Sequence, residues 1–361
     1  MKNQNLQILP IFNLLKKGVE EGIYPGAIAG IWYKEKKYIL ITGYKSITPF
    51  LEPLEDDDIF DLASLTKPLA FVFTLIFLLS QDPKIDLQKP LKTYLPFKKP
   101  IGEIPVYRFL NHTSGLKAWY PFYKEKRILK LENVVKKIEE LPLEYKPGTK
   151  SIYSDLGFYL FTYLIEKIYE ESFENLFEKA KRIVSFTKKA FLGFCPLKRG
   201  IDQEKIVPTS VCSWSNKILR GVVEDENTRA LGGISGVAGL FGNIYGVLDI
   251  LETIFFAYKK EIKGLSRDLL RYFINFKENI SDFCLGFMFP SFKGYSATGG
   301  VFSKNTIGHL GFTGCSFFMD LEKDLIVVLL TNRVHLNRNN QKIRDFRPKF
   351  HKTVVENLKI I

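Results

Sequence analysis

The chain has 361 residues, enough for one large domain or two intimate ones with ample core. Its 46% apolar and 25% charged residues are those of a soluble globular protein. The net charge of +13 comes from lysines spread along the chain and mixed with glutamate, as in Lys34-Glu35-Lys36-Lys37. That is a solvated surface, and it argues against specific nucleic-acid binding. The densest basic stretch runs from Arg333 to Lys359.

In chain order, Pro10 to Glu21 has the spacing of an amphipathic helix, with Pro10 in its first turn and Gly22 as its stop. Ala27 to Tyr33 and Tyr38 to Thr42 are apolar or β-branched runs around a charged turn at 34–37, which predicts a β-hairpin. Residues 43–58 carry prolines and an acidic cluster and are expected to be a loop. Ile59 to Ala63 reads as a short strand. Pro68 to Leu79 is apolar except for Thr74, as in a helix buried on all sides.

From Asp82 to about Lys277 the pattern is mainly helices and loops. Helices are expected at Val106 to Asn111, around Leu131 to Leu141, at Leu156 to Tyr169 and at Tyr245 to Ile262. Gly232, Gly233, Gly236, Gly239 and Gly242 match no phosphate-binding pattern and point to tight backbone packing or bulges. Phe283 to Phe289, Ser316 to Asp320 and Leu325 to Thr331 read as strands. A last amphipathic helix spans about Asn340 to Leu358. The order suggests a sheet built from both chain ends, residues 1–63 and 282–361, with a mainly helical region, 64–281, inserted between them and a cleft where the two meet.

Cys195, Cys212, Cys284 and Cys315 form no C-x-x-C pair, and with four histidines no zinc pattern emerges. Reduced thiols, no signal-peptide pattern at Leu6 to Leu15, and no apolar run of the ~18–20 residues that span a bilayer together lead us to expect a cytoplasmic protein.

The chemistry centres on Ser64-Leu65-Thr66-Lys67. Three apart on a helix, Ser64 and Lys67 share a face. A serine at a helix N-terminus meets unpaired N–H groups that favour developing negative charge. A lysine held neutral by desolvation and nearby positive charge can take its proton. Ser-x-x-Lys also occurs at Ser114/Lys117 and Ser185/Lys188, and from Asp61 to Lys67 alone an ordinary helix cap with an exposed lysine is the preferred reading. Tyr153-Ser154-Asp155 stands before a helix, where the phenol can relay protons or Asp155 can simply cap. His309-Leu310-Gly311-Phe312 leads toward a strand, and Gly311 permits close approach to the backbone.

Ser64-x-x-Lys67, Tyr153-x-Asp155 and His309-x-Gly311, in this order and spacing, resemble the three motifs of the serine β-lactamase and penicillin-binding-protein superfamily, in its class C-like branch of D-alanyl-D-alanine peptidases and esterases. Leu110 to Leu116, Leu231 to Gly233, Ala238 to Phe241 and Gly308 to Gly314 extend the likeness over about residues 8–350. The resemblance implies an α/β (α+β) fold with an antiparallel sheet flanked by N- and C-terminal helices. It implies an acyl-enzyme formed on a small ester, amide or peptide, with no metal or organic cofactor. Ser64 would be the nucleophile, and Lys67 with Tyr153 the proton carriers. The N–H groups of Ser64 and Phe312 would form the oxyanion hole, and His309 would set charge near the tyrosine.

Three departures stand out. Asp155 replaces the usual asparagine, Leu310 replaces a hydroxyl residue, and Glu224 and Val237 stand where relatives carry histidines. The first two argue against an efficient β-lactamase and favour an esterase-like or peptidoglycan-fragment hydrolase; a D,D-carboxypeptidase or β-lactamase is the alternative among enzymes. A non-catalytic scaffold is the alternative from another class. The sequence leaves the oligomeric state and the roles of Asp155, His309 and His112 open.

Overall fold

The structure is a computed structural model that describes residues 2–97, 100–125, 130–291 and 294–360, with side chains from residue 7 onward. Helix α1 (Lys2–Glu20) leads into the hairpin β1 (Gly26–Tyr33) and β2 (Lys36–Ser46). Its loop is two residues, Lys34 and Glu35, both at positive φ, which matches the twist of paired antiparallel strands. Pro10 lies inside α1 rather than at its start, because the helix extends back beyond the amphipathic stretch.

The expected loop at 43–58 is partly sheet, since β2 runs on to Ser46 and pairs with β3 (Glu52–Pro53). Strand β4 (Phe60–Asp61) follows. The buried run is then wound unevenly: a 3-10 turn at Ala63–Leu65, a π-helical segment at Lys67–Val72, and α2 (Phe73–Gln81). The helical stretch 63–81 is long and apolar enough to cross a membrane by composition, against the reading that no run is, but 83% of its most apolar 18-residue window is buried inside the fold.

Helices α3 (Tyr107–Leu110), α4 (Leu131–Glu140), α5 (Leu156–Tyr169) and α6 (Phe173–Lys181) come next. The short strands β5 (Leu192–Phe194) and β6 (Leu240–Gly242) bracket α7 (Glu226–Ala230) and join β4 in a small sheet of order β4-β6-β5. The last helix of this stretch pair, α8 (Ile244–Lys259) and α9 (Arg267–Asn275), leads to β7 (Thr306–Leu310), β8 (Ser316–Asp320), β9 (Leu325–Thr331) and α10 (Ile343–Asn357). Phe283 to Phe289 is not a strand. Gly286, at φ +88°, turns the chain back so that Phe283 bridges Met288, which in turn bridges Gly308.

The main sheet is antiparallel, of order β3-β2-β1-β9-β8-β7, so β1 from one chain end pairs with β9 from the other. Side chains alternate across β9. Leu325, Val327 and Leu329 pack with Ile11, Leu15, Phe346 and Phe350 of α1 and α10. Ile326, Val328 and Leu330 face the larger core that holds α2, α5 and α8. Both faces are therefore apolar, which is why β9 reads as a continuous apolar run.

Phe71 locks the π-helical segment in place. Its ring meets Phe158 and Phe161 of α5 at 5.5 and 5.6 Å and Phe173 of α6 at 5.8 Å. Such pairs add about 0.5–1.5 kcal/mol each beyond burial. They fix the segment that carries Lys67 against the helix that follows Asp155.

Candidate active site

Ser64 lies in the 3-10 turn and Lys67 begins the π-helical segment, so they are not one regular α-turn apart as the spacing predicts. The uneven winding still brings Lys67 Nζ to 3.2 Å from Ser64 Oγ. Ala63, just before the nucleophile candidate, is held at φ 47°, an uncommon conformation for a residue with a Cβ. Asp61 supports it: one carboxylate oxygen accepts from Ala63 N–H at 2.8 Å, and the other from Glu224 N–H at 2.7 Å. Burial pushes the Asp61 carboxyl up to about 7, against the opposing effect of those two donors.

Asp61→Ala is expected to leave two buried N–H groups unpaired, at about 1–3 kcal/mol each. The loosened turn should also cost roughly 10²-fold in turnover, as a small misplacement of a nucleophile does. Urea unfolding and ester kinetics on the same preparation check both. Full activity would show that Ser64 does not depend on this brace.

Lys67 is completely buried and meets three acceptors. Besides Ser64 Oγ, its ammonium donates to Val237 O at 3.2 Å and pairs with Asp155 at 2.7 Å. The Asp155 contact is close but poorly directed for a hydrogen bond. Burial alone would lower the Lys67 pKa. The charge of Asp155, and then Tyr153, outweighs burial and holds it well above the ordinary lysine value. The lysine is thus a cation in the resting site, and the expectation of a neutral lysine is corrected: the surroundings supply negative charge, not positive. Asp155 does not cap α5 with its side chain.

Tyr153 is half-buried overall, but its hydroxyl is closed off from solvent and has no protein partner in full hydrogen-bond geometry. Its ring centroid lies 5.0 Å from Lys67 Nζ. Burial raises its pKa, opposed by Lys67, so the phenol stays protonated near neutral pH. His309, at the end of β7, is buried, and its ring lies 5.9 Å from that of Tyr153. Its Nδ1 is 2.9 Å from Leu310 O, a contact that only an Nδ1–H can make, so Nε2 carries a lone pair. Burial, then Lys67, pushes its pKa down to about 3. His309 therefore brings no charge to the tyrosine, unlike the expectation.

His112, in the turn after α3, is also buried. Its Nδ1 accepts from Ser154 N–H at 3.0 Å, which fixes the residue next to Tyr153. The rings of His112 and Tyr153 lie 4.5 Å apart.

Gly311 is glycine because its neighbour is backbone. A Cβ there would lie 2.9 Å from Leu62 O. This close packing sets the β7 end directly against the serine turn. Arg347 of α10 completes the brace, with one guanidinium nitrogen 2.9 Å from Cys315 O and 3.3 Å from Gly311 O. Phe312 projects outward at 43% exposure, flanked by the guanidinium groups of Arg333 at 4.9 Å and Arg338 at 5.2 Å.

A cavity of about 800 Å³ opens over these residues, within the size range of small-molecule sites. Ser64, Tyr153, Asp155, His309, Gly311 and Phe312 all line it, and Lys67 lies beneath, so the structure gathers every residue singled out by the three motifs. Sequence reasoning missed Asp61, Asp225, Arg347 and the carbonyl of Val237. Only Asp61, three residues before the serine in a buried run, left a visible signal. Away from the cavity, Glu55, Asp57 and Asp58 converge closely enough to hold a cation, but Lys45 and Lys205 already pair with them.

Comparison with known proteins agrees with this geometry. The family model described as Beta-lactamase matches residues 11–180. An N-acetylmuramyl-L-alanine amidase of Bacillus subtilis (strain 168) is 28% identical, over 76% of this chain and 68% of that protein. A putative D-alanyl-D-alanine carboxypeptidase of Salmonella agona (strain SL483) is 29% identical, over 79% of this chain and 71% of that one. The solved structure of EstCE1, a hydrolase with promiscuous acyltransferase activity, superposes with a TM-score of 0.73 at 19% identity, covering 96% of this chain and 99% of that one, which shows a shared fold. Over residues 11–180 the chain matches the Beta-lactamase family, and along its length it shares the fold of hydrolases related to the β-lactamases and penicillin-binding proteins.

Proposed function

We propose that the protein hydrolyses small esters or amides through an acyl-enzyme on Ser64. The observation that carries this is the convergence of a hydroxyl, an amine and a phenol, from two separate segments, on the floor of one cavity, with Lys67 Nζ 3.2 Å from Ser64 Oγ. Ser64 Oγ attacks the carbonyl carbon as its proton passes to Lys67. Tyr153 carries the proton between Lys67 and the leaving group, and later from the deacylating water. The N–H groups of Ser64 and Phe312 receive the oxyanion, a term worth about 3–4 kcal/mol per donor in such sites.

Lys67 must shed a proton before it can accept one, and Asp155 opposes that. Catalysis by this route rises with pH as the neutral lysine becomes populated. Asp155→Asn removes the charge that raises Lys67 and leaves burial, which lowers it. The rising limb of kcat/KM against pH should therefore move to lower pH in Asp155→Asn. An unmoved limb would show that Lys67 is not the titrating base.

The named relatives support amide and peptide substrates, including fragments of peptidoglycan. Asp155 and Leu310 remove donors that would hold an acylamino group and a carboxylate, which weighs against an efficient β-lactamase. The four cysteines are unbridged, which supports a cytoplasmic setting as part of the same reading. Mass spectrometry after exposure to a fluorophosphonate or a penicillin tests the proposal. A single adduct on Ser64 is expected. No adduct, with no turnover of p-nitrophenyl esters, would make this a scaffold that keeps the fold without the chemistry.

A further inference from the structure

Two buried arginines stand behind the turn that carries the Phe312 N–H. Arg347 of α10 is 6% exposed, and Arg333, just after β9, is 4% exposed. Neither has a carboxylate within ion-pair distance among the described residues. The carboxylates on this side pair with other cations, Glu224 and Glu226 with Arg338 and Asp155 with Lys67. A buried charge without a paired anion is costly. Burial pushes the Arg347 guanidinium down only to about 10, so it is still a cation near neutral pH.

Both guanidinium groups are turned toward main chain. Arg333 Nη2 donates to Phe312 O. Arg347 Nη2 donates to Cys315 O at 2.9 Å and to Gly311 O at 3.3 Å. Those two carbonyls do not depend on Arg347 for a partner. Gly311 O also accepts from Gly314 N–H at 3.1 Å, and Cys315 O from Gly311 N–H at 2.7 Å. The arginine is a second donor to each, on the second lone pair. Satisfying the turn does not explain a buried cation there.

Gly311 O and Phe312 N–H are the two ends of one planar peptide unit. A cation at the oxygen draws electron density through the partial double bond and leaves the N–H more positive, as bonds in a hydrogen-bonded chain strengthen one another. We propose that Arg347 is a positioning residue for the oxyanion: it holds and polarises the Gly311–Phe312 peptide, and its charge finds its counterpart only when negative charge forms across that peptide. The inference rests on the serine-hydrolase reading of the same cavity. As the Ser64 Oγ–C bond forms and the serine proton passes to Lys67, the carbonyl π electrons move to oxygen. That oxygen lies at the N–H end of the unit whose other end Arg347 grips. The interaction is stronger in the tetrahedral state than in the bound substrate, so it raises kcat rather than tightening binding.

The test uses p-nitrophenyl acetate, which carries no anionic group that Arg347 could bind directly. Arg347→Met is expected to lower kcat about tenfold with KM little changed, part of the 10²–10³ that loss of a whole oxyanion donor costs. Arg347→Lys keeps the charge and should recover most of kcat. The phosphorus NMR resonance of the fluorophosphonate adduct on Ser64, whose phosphoryl oxygen takes the oxyanion position, should move in Arg347→Met. Should that variant fail to fold, Arg347→Gln serves for the same comparison. Unchanged kcat, a loss confined to KM, equal losses in the lysine and neutral variants, or an unmoved resonance overturns the role of Arg347 and leaves the hydrolase reading standing. Failure of the parent protein to label on Ser64 overturns both.

Discussion

Ser64→Ala is expected to lower kcat/KM for p-nitrophenyl esters by about 10⁶, the scale seen when a nucleophile that works as part of a unit is removed. Covalent labelling should vanish with it. The fold should not suffer. Ser64 borders the cavity, and its hydroxyl is one of three acceptors around Lys67, with Val237 O and Asp155 remaining. Thermal unfolding is therefore expected within about 0.5 kcal/mol of the parent. The separation matters, because a variant that lost both activity and stability would say nothing about chemistry. Residual turnover above a few per cent, with an intact fold, would move the nucleophile elsewhere.

Lys67→Met is expected to damage both. Activity should fall by about 10⁴, because the Lys67 amine is the basic group placed within hydrogen-bond distance of Ser64 Oγ among the described residues. Stability should fall because Asp155 loses its only ion-pair partner among the described residues. Breaking a buried pair typically costs about 3–5 kcal/mol. Asp155 keeps 18% of its side-chain surface exposed, so the lower end applies. The sign follows from linkage. The folded-state pKa of Lys67 is raised above its unfolded value, so the pair's contribution is fully present below the ordinary lysine pKa and is lost as pH rises through the folded value. Denaturant titrations at neutral pH read the full effect. The double variant Lys67→Met/Asp155→Leu should recover most of the stability and none of the activity. If the single variant is as stable as the parent, the pair is not what fixes Lys67.

Much of the fold was legible because the elements are long and their patterns clean. Helix α5 spans the residues its apolar run predicts, and β8 and β9 lie where their apolar runs place them. The pairing of the two chain ends also followed from element order. The short pieces did not. Strands β5 and β6 are three residues each and occupy glycine-rich or mixed sequence, where period-2 alternation cannot register. Helices α6 and α9 do carry apolar residues at helical spacing, such as Phe173, Leu176, Phe177 and Ala180, but over barely two turns. The false strand at Phe283 to Phe289 had apolar content without extended geometry, since Gly286 reverses it.

Sequence by itself determined which residues to look for: the three short motifs, their order and their spacing single out Ser64, Lys67, Tyr153, Asp155, His309 and Gly311, which the fold gathers at one cavity. Tertiary structure alone decided their states. Lysine, histidine and aspartate have fixed charges only in water. In this fold, burial makes His309 neutral and Asp155 keeps Lys67 a cation. Those outcomes depend on which groups from distant segments come within a few ångströms in a medium of low dielectric, and no local pattern encodes that distance.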